Sequence, residues 1–234
     1  MNINQLYNKY KQYDFNFLDE LDLDHQQIET ALKYSNVTVK GLPKDNFVEY
    51  RVKFPNFVAF FVHLIYTKRR MITQEEYINE YITYYEEYLN SVLFPNKIKF
   101  LRYRLSRAFS SLVRDLHFYH VLRDSNLFDE VSFNVALDCE EKIDVLVKKN
   151  NKFFGLQLHI STKRSNAEYL KKEKNVKRGV ISNVKDVHYI DLPLSPFSKD
   201  VKRITSFKDE MVYYSNLHIQ QVLDIINEDH SLAI

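Results

Sequence analysis

Hydrophobic positions along the chain follow two regimes that change near residue 131. Before it, apolar residues recur mostly at the three-to-four-residue spacing of helices. Leu6, Tyr7, Tyr10 and Tyr13, then Ile28 and Leu32, predict two short helical segments within residues 1–35. Val37 and Val39, then Phe47, Val48, Tyr50 and Val52, alternate and predict a strand pair over 36–54, with Pro43 and Asn46 supplying the turn. The run around Phe57–Tyr66 is apolar on all sides and predicts a buried helix over 56–67. Thr73 followed by Glu76 is a capping box that starts a helix carrying Tyr77, Tyr81, Tyr84 and Tyr88. That tyrosine stripe is read first as helix packing. Leu101, Leu105, Ala108, Leu112, Leu116 and Tyr119 keep the helical period over about 97–123.

After residue 131 the period shortens. Phe133, Val135 and Leu137 alternate as a strand, and Ile143–Val147 is a second apolar run. Asn150-Asn151 within 148–152 reads as a hairpin turn, leading into a third strand over Phe153–Ile160. Residues 165–175 read as a basic helix and Val187–Leu192 as a fourth strand, closed by Pro193 and Pro196. Residues 206–228 read as an amphipathic helix with Met211, Tyr214, Leu217, Val222 and Ile225. The order from residue 97 is helix, strand, strand, strand, helix, strand. It predicts an α/β (α+β) fold with helices on the faces of a mixed sheet. The chain is expected to divide into a mainly helical region, 1–95, and a core, 96–234.

Composition narrows the function classes. Hydrophobic residues are 45% and charged residues 27% of 234, as in a folded globular protein. Cys139 is the one cysteine, so neither an internal disulfide nor a cysteine-based zinc site can form. Three glycines, Gly41, Gly155 and Gly179, cannot build a Gly-rich phosphate loop. The first residues lack the apolar run of a secretion signal, and no apolar stretch is long enough to span a bilayer. A cytoplasmic location and no membrane partner are the expectation.

A net charge of +2 says little by itself; its distribution says more. From Lys97 to Arg114 there are six basic residues and no acid, and helical geometry puts Arg104, Arg107 and Arg114 on one side, away from the apolar stripe. A second basic run holds Lys163, Arg164, Lys171, Lys172, Lys174, Lys177 and Arg178. Two basic helices flanking one site suit nucleic-acid phosphate, with DNA as the expected partner.

The chemistry concentrates in LDCEEKIDVLVKKNNKFFGLQLHISTKRSN, residues 137–166. Gln157 and His159, two apart on one strand, share a face, and Asp144 on the neighbouring strand can meet them. A carboxylate, an amide oxygen and a third polar group suit a hard divalent cation. Asp138 is the most plausible further ligand among Asp138, Glu140 and Glu141. Asp115, His117 and His120 on the long helix are further candidates.

This pattern resembles the PD-(D/E)XK nuclease superfamily, whose motif is an acid, a hairpin, then acid or Gln, any residue, and lysine. Residues 97–175 look most like the TaqI-like type II restriction endonucleases, through LHFYHVLRD, LDCEEKIDVLV and GLQLHISTKRSNAEYLKKEK. In that family Gln-X-Lys lies on the second strand and Arg-Ser opens a basic helix; Gln157, Arg164 and Ser165 occupy those places. The resemblance implies a restriction-endonuclease-like fold and a divalent-metal-dependent endodeoxyribonuclease using Mg²⁺ or Mn²⁺. Asp144, Gln157 and His159 would carry catalysis, Asp144, Gln157 and Asp138 the metal, and Arg164, Ser165, Lys171 and Lys172 DNA contacts. Two-strand cutting implies a homodimer. His159 stands where the family has its catalytic lysine. A neutral imidazole lacks the fixed positive charge of an ammonium. Lys163, of the same strand parity if the strand extends that far, is the candidate to supply it, with Lys142 beside Asp144 as another. Two rival readings follow: a nuclease-derived DNA-binding or regulatory protein without catalysis, and a protein–protein module built on the tyrosine-rich helices.

Overall fold

The computed structural model describes residues 3–11, 21, 23–38, 41–161, 186–207 and 209–231. These residues form a mixed α+β structure. Two compact units divide it, one from 1–113 with 204–211, the other from 114–203 with 212–234. The parting falls inside a long helix, whereas the sequence suggested a boundary at 95/96.

The first unit is mainly helical. It contains α1 (Gln5–Tyr10), α2 (His25–Lys33), α3 (Asn46–Tyr50), α4 (Phe57–Lys68), α5 (Gln74–Tyr84), α6 (Glu86–Val92) and the start of α7 (Ile98–Asp124). Thr73 caps α5 as expected: its hydroxyl accepts the Glu76 N–H while Glu76 accepts the Thr73 N–H at 2.8 Å. The tyrosine stripe packs inward. Tyr81 lies edge-on to Phe60 at 5.1 Å and donates its hydroxyl to the Pro55 carbonyl at 2.7 Å. The strand pair expected over 36–54 is replaced in part by a helix. The Asp45 carboxylate accepts the Val48 N–H at 3.1 Å and starts α3, so a cap overrides the alternation of Phe47, Val48 and Tyr50.

The second unit holds a four-stranded sheet in the order β1 (Glu130–Ser132), β2 (Val145–Lys149), β3 (Lys152–Ile160), β4 (Val187–Leu194). β1, β2 and β3 pair antiparallel, and β4 runs parallel to β3. Asn150 and Asn151, at φ 52° and 61°, make the tight turn between β2 and β3. β3 is buried from Phe154 to Leu158, as expected of an inner strand covered on both faces.

Two expectations from the sequence fail here. The first strand does not reach Leu137. The Asn134 side-chain oxygen accepts the N–H groups of Ala136 and Leu137, at 2.7 and 3.2 Å, and turns the chain into a π-helical segment, Leu137–Glu141. The last helix, α8, begins at Asn216 rather than near 206. Before it lie β5 (Lys202–Thr205) and β6 (Glu210–Tyr213), which pair with one another. Ser206 closes their turn: its N–H donates to the Asp209 carbonyl at 2.9 Å and its hydroxyl accepts the Asp209 N–H at 3.1 Å. A local side-chain bond again wins over apolar spacing.

Candidate metal centre

Asp144 enters β2 through a close approach that glycine permits. A Cβ on Gly155 would lie 2.9 Å from Ile143 Cδ1 and Cγ1, so the missing side chain is the space Ile143 fills. The next residue then reaches β3 twice. The Asp144 N–H donates to the Leu156 carbonyl at 2.9 Å, and Asp144 Oδ2 accepts the Leu158 N–H at 2.6 Å. The carboxylate is thus fixed by the backbone of the strand that carries Gln157 and His159. Gln157 is buried, and it shares a face of β3 with His159.

A third element contributes from α7. From Leu112 to Leu122 that helix is buried on every side, yet the stretch includes Arg114, Asp115, His117 and His120. Buried ionisable groups are costly unless partnered. Arg114 Nε donates to the Val212 carbonyl at 3.2 Å. Asp115 differs: it is 5% exposed and its Oδ1 is buried without a hydrogen-bond partner among the described residues. Burial pushes its carboxyl up to about 8; Arg114 opposes the shift and Asp138 adds to it. Burial likewise holds Asp144 well above the usual carboxylate range. Asp115 and Asp138 push it further, against the Leu158 N–H and Lys142.

Asp115, Asp138 and Asp144 therefore form a mutually repelling set drawn from helix, π turn and the segment leading into β2. Tyr214 stands beside them. Its hydroxyl donates to the Leu192 carbonyl at 2.7 Å and is raised mainly by burial, with Asp115 and Asp144 contributing. Among the described residues no three His, Cys, Asp or Glu side chains stand together at ligand spacing. A cation here would draw on the Gln157 amide oxygen and on water as well as carboxylates, a donor set that suits Mg²⁺.

Asp138 sits on the π turn, whose end is set by Lys142 at φ 61°. The Lys142 ammonium donates to the Cys139 carbonyl. His159 Nδ1 lies 3.1 Å from Asp191 Oδ1 on β4. Sequence reasoning passed over Asp191 and Tyr214. The one signal for Asp191 was a lone acid in the apolar run YIDLPL.

The arginines of α7 do not present the free basic face expected from the helical wheel. Arg107 pairs with Glu49, Arg104 donates to the Val48 carbonyl and lies over the Phe54 and Phe57 rings, and Arg114 is buried. Lys163, Arg164, Ser165, Lys171 and Lys172 lie outside the described residues.

No protein-family model matches this chain, and neither a curated protein nor a solved structure shows a significant match to it. No described helix is long and apolar enough to cross a membrane.

Proposed function

We propose that this protein is a divalent-metal-dependent endodeoxyribonuclease of restriction type, with a PD-(D/E)XK-like core in its second unit. The observation that carries the reading is Asp115: a buried carboxylate with one oxygen that has no hydrogen-bond partner among the described residues, interacting electrostatically with Asp138 and Asp144. Arg114 and Lys142 only partly offset the repulsion among these buried acids, and a divalent cation would supply further counter-charge. Support also comes from the element order, helix α7, three antiparallel strands and a parallel fourth, and from Asp144 and Gln157 on neighbouring segments of that sheet.

Asp144, Asp138 and the Gln157 amide oxygen would hold Mg²⁺ or Mn²⁺, with water completing the shell and Asp115 adding negative charge beside it. The ion would polarise a phosphate oxygen and make bound water more acidic. The chain's own contributions are orientation and proton handling. The Leu158 N–H fixes the Asp144 carboxylate, and His159 would be the group to take a proton from an attacking water. The substrate would be duplex DNA, and a homodimer would bring one site to each strand.

His159 in the place of lysine favours a second reading, a nuclease-derived DNA-binding protein without catalysis. Plasmid cleavage with Mg²⁺ and with Mn²⁺ separates the two. The wild type should cut, Asp144→Ala should abolish cutting, and His159→Lys should match or exceed the wild type, because an ammonium stabilises charge developing on phosphate. An Asp144→Ala variant that cuts as well as wild type places the chemistry elsewhere. A wild type inert with both metals, with DNA affinity unchanged by Asp144→Ala, favours the second reading.

A further inference from the structure

Apart from the metal centre, we propose that the first unit carries an interaction surface of its own, built on α3 and the start of α7. It binds an unpaired stretch of DNA, stacking bases on aromatic rings set among lysine ammonium groups. The surface goes beyond the nuclease reading and does not depend on it.

Local sequence shapes this surface. In the first turns of α7, Leu101, Leu105 and Phe109 take the buried stripe. Phe100 and Tyr103, three apart, fall beside that stripe and stay half-buried, their rings edge-on at 6.1 Å. Lys99 is exposed, and its ammonium lies 5.0 Å from the Phe100 ring centroid. The Lys97 ammonium lies 5.5 Å from the same ring and ties α7 to α3 by donating to Asp45 Oδ2 at 2.6 Å. On α3, two residues beyond Asp45, the Phe47 ring lies against Phe94, with centroids 6.0 Å apart. Phe94 directly precedes the 3₁₀ turn Pro95–Lys97 that leads into α7, and it is 66% exposed. From Phe94 and Phe47, through Lys97, to Phe100 and Tyr103, rings and ammonium groups form one strip.

Charge identifies the partner. Residues 44–53 hold three basic residues and 97–107 hold five, against two acids, Asp45 and Glu49. Both acids are neutralised within the unit, Asp45 by Lys97 and Glu49 by Arg107. On α5, Glu76 and Glu80 are likewise held by Arg70 and Lys68. The excess is positive, and its complement is a polyanion. Protein–protein interfaces are depleted in lysine, whereas single-stranded sites combine lysine with aromatic platforms. A duplex hides the faces of its bases within its own stack, so surface rings gain little from it. An unpaired strand offers a face with every base. The rings offer no donor or acceptor to a ribose 2′-hydroxyl, which assigns the surface to DNA.

Fluorescence anisotropy of a labelled oligothymidylate with the full-length protein, in chelator and at low salt, tests this. We expect binding that weakens as salt is added. Phe94→Ala should weaken it roughly 5–30-fold, the loss of one stacked base, and leave affinity for a duplex of the same length unchanged. Phe94→Tyr keeps a ring and should bind like wild type. Lys99→Ala should flatten the log–log salt slope by about 0.7, the share of one phosphate on a single strand. Both positions are exposed, and thermal melts of each variant confirm that the fold is kept. Absence of binding to oligothymidylate, or binding unmoved by Phe94→Ala, overturns the proposal. An equal loss on duplex overturns the stacking of unpaired bases. Tighter binding of oligouridylate overturns the assignment to DNA. Polyglutamate binding with the same dependence on Phe94 and Lys99 also overturns the proposal, since the surface would then take an acidic protein. No cleavage is read, so a protein inert as a nuclease can still pass every arm, and an active one can fail them.

Discussion

At the residue scale, Asp115 bears the clearest consequence. Its folded-state value of about 8 lies above the ordinary carboxyl value of 3.8. The folded protein therefore holds a proton that the unfolded chain releases earlier. For an acid raised in this way stability is greatest at low pH, declines from about pH 4, and the loss is complete above about pH 8. Asp115→Asn removes that decline. In chelator at pH 8 the variant should melt higher than wild type, by roughly 5–10 °C. Added Mg²⁺ or Mn²⁺ should raise the melting temperature of wild type and do so much less for Asp115→Asn. Thermal melts at pH 5 and pH 8, with and without metal, check both signs. A variant that melts lower than wild type at pH 8 in chelator would mean that the carboxylate is already satisfied.

At the element scale, the approach of β2 to β3 depends on Gly155. Its φ is ordinary; what matters is the volume a methyl group would take from Ile143, with Val187 Cγ1 also 3.2 Å away. Gly155→Ala should force Ile143 outward and cost about 1–3 kcal/mol, the usual penalty of overpacking. Because Asp144 follows Ile143 directly, the variant should also lose most of the metal-induced rise in melting temperature. Denaturant unfolding together with the metal titration tests this. A stable Gly155→Ala protein with a normal metal response would show that the segment leading into β2 yields freely. The same scale explains where patterns of apolar spacing misled. Over 46–50, at 137–141 and at 206–209, one polar side chain bonds a nearby backbone group and sets the chain direction.

At the scale of the whole molecule, a net charge of +2 means that the DNA affinity proposed for this protein would have to come from local clusters. Binding to duplex DNA should weaken with salt at a log–log slope near −4 to −5, for about five neutralised phosphates. Joint replacement of Lys171 and Lys172 by Ala should flatten the slope by about 2. Arg107→Ala should instead leave the slope unchanged and cost about 1–2 kcal/mol of stability, because its guanidinium is spent on Glu49. Filter-binding titrations across salt concentrations, with melts of each variant, distinguish the two classes of basic residue. A slope that flattens on Arg107→Ala would return that arginine to the DNA.

What the sequence determined by itself is what short-range physics encodes. The Thr73–Glu76 cap, the Asn150-Asn151 turn, the helices from 57 to 124 and the strands around 153–160 and 187–194 all depend on neighbours within a few residues. So did the shared face of Gln157 and His159, which follows from strand alternation alone. Tertiary structure decided which polar groups are spent and which are left. Arg107 looked free until Glu49, distant in sequence, took it. Asp115 was one of three candidates on its helix until burial stripped its solvent and set it against Asp138 and Asp144. Asp191 comes within 3.1 Å of His159 only through the parallel register of β3 and β4. Desolvation and charge coupling act through space, over distances that have no counterpart in spacing along the chain.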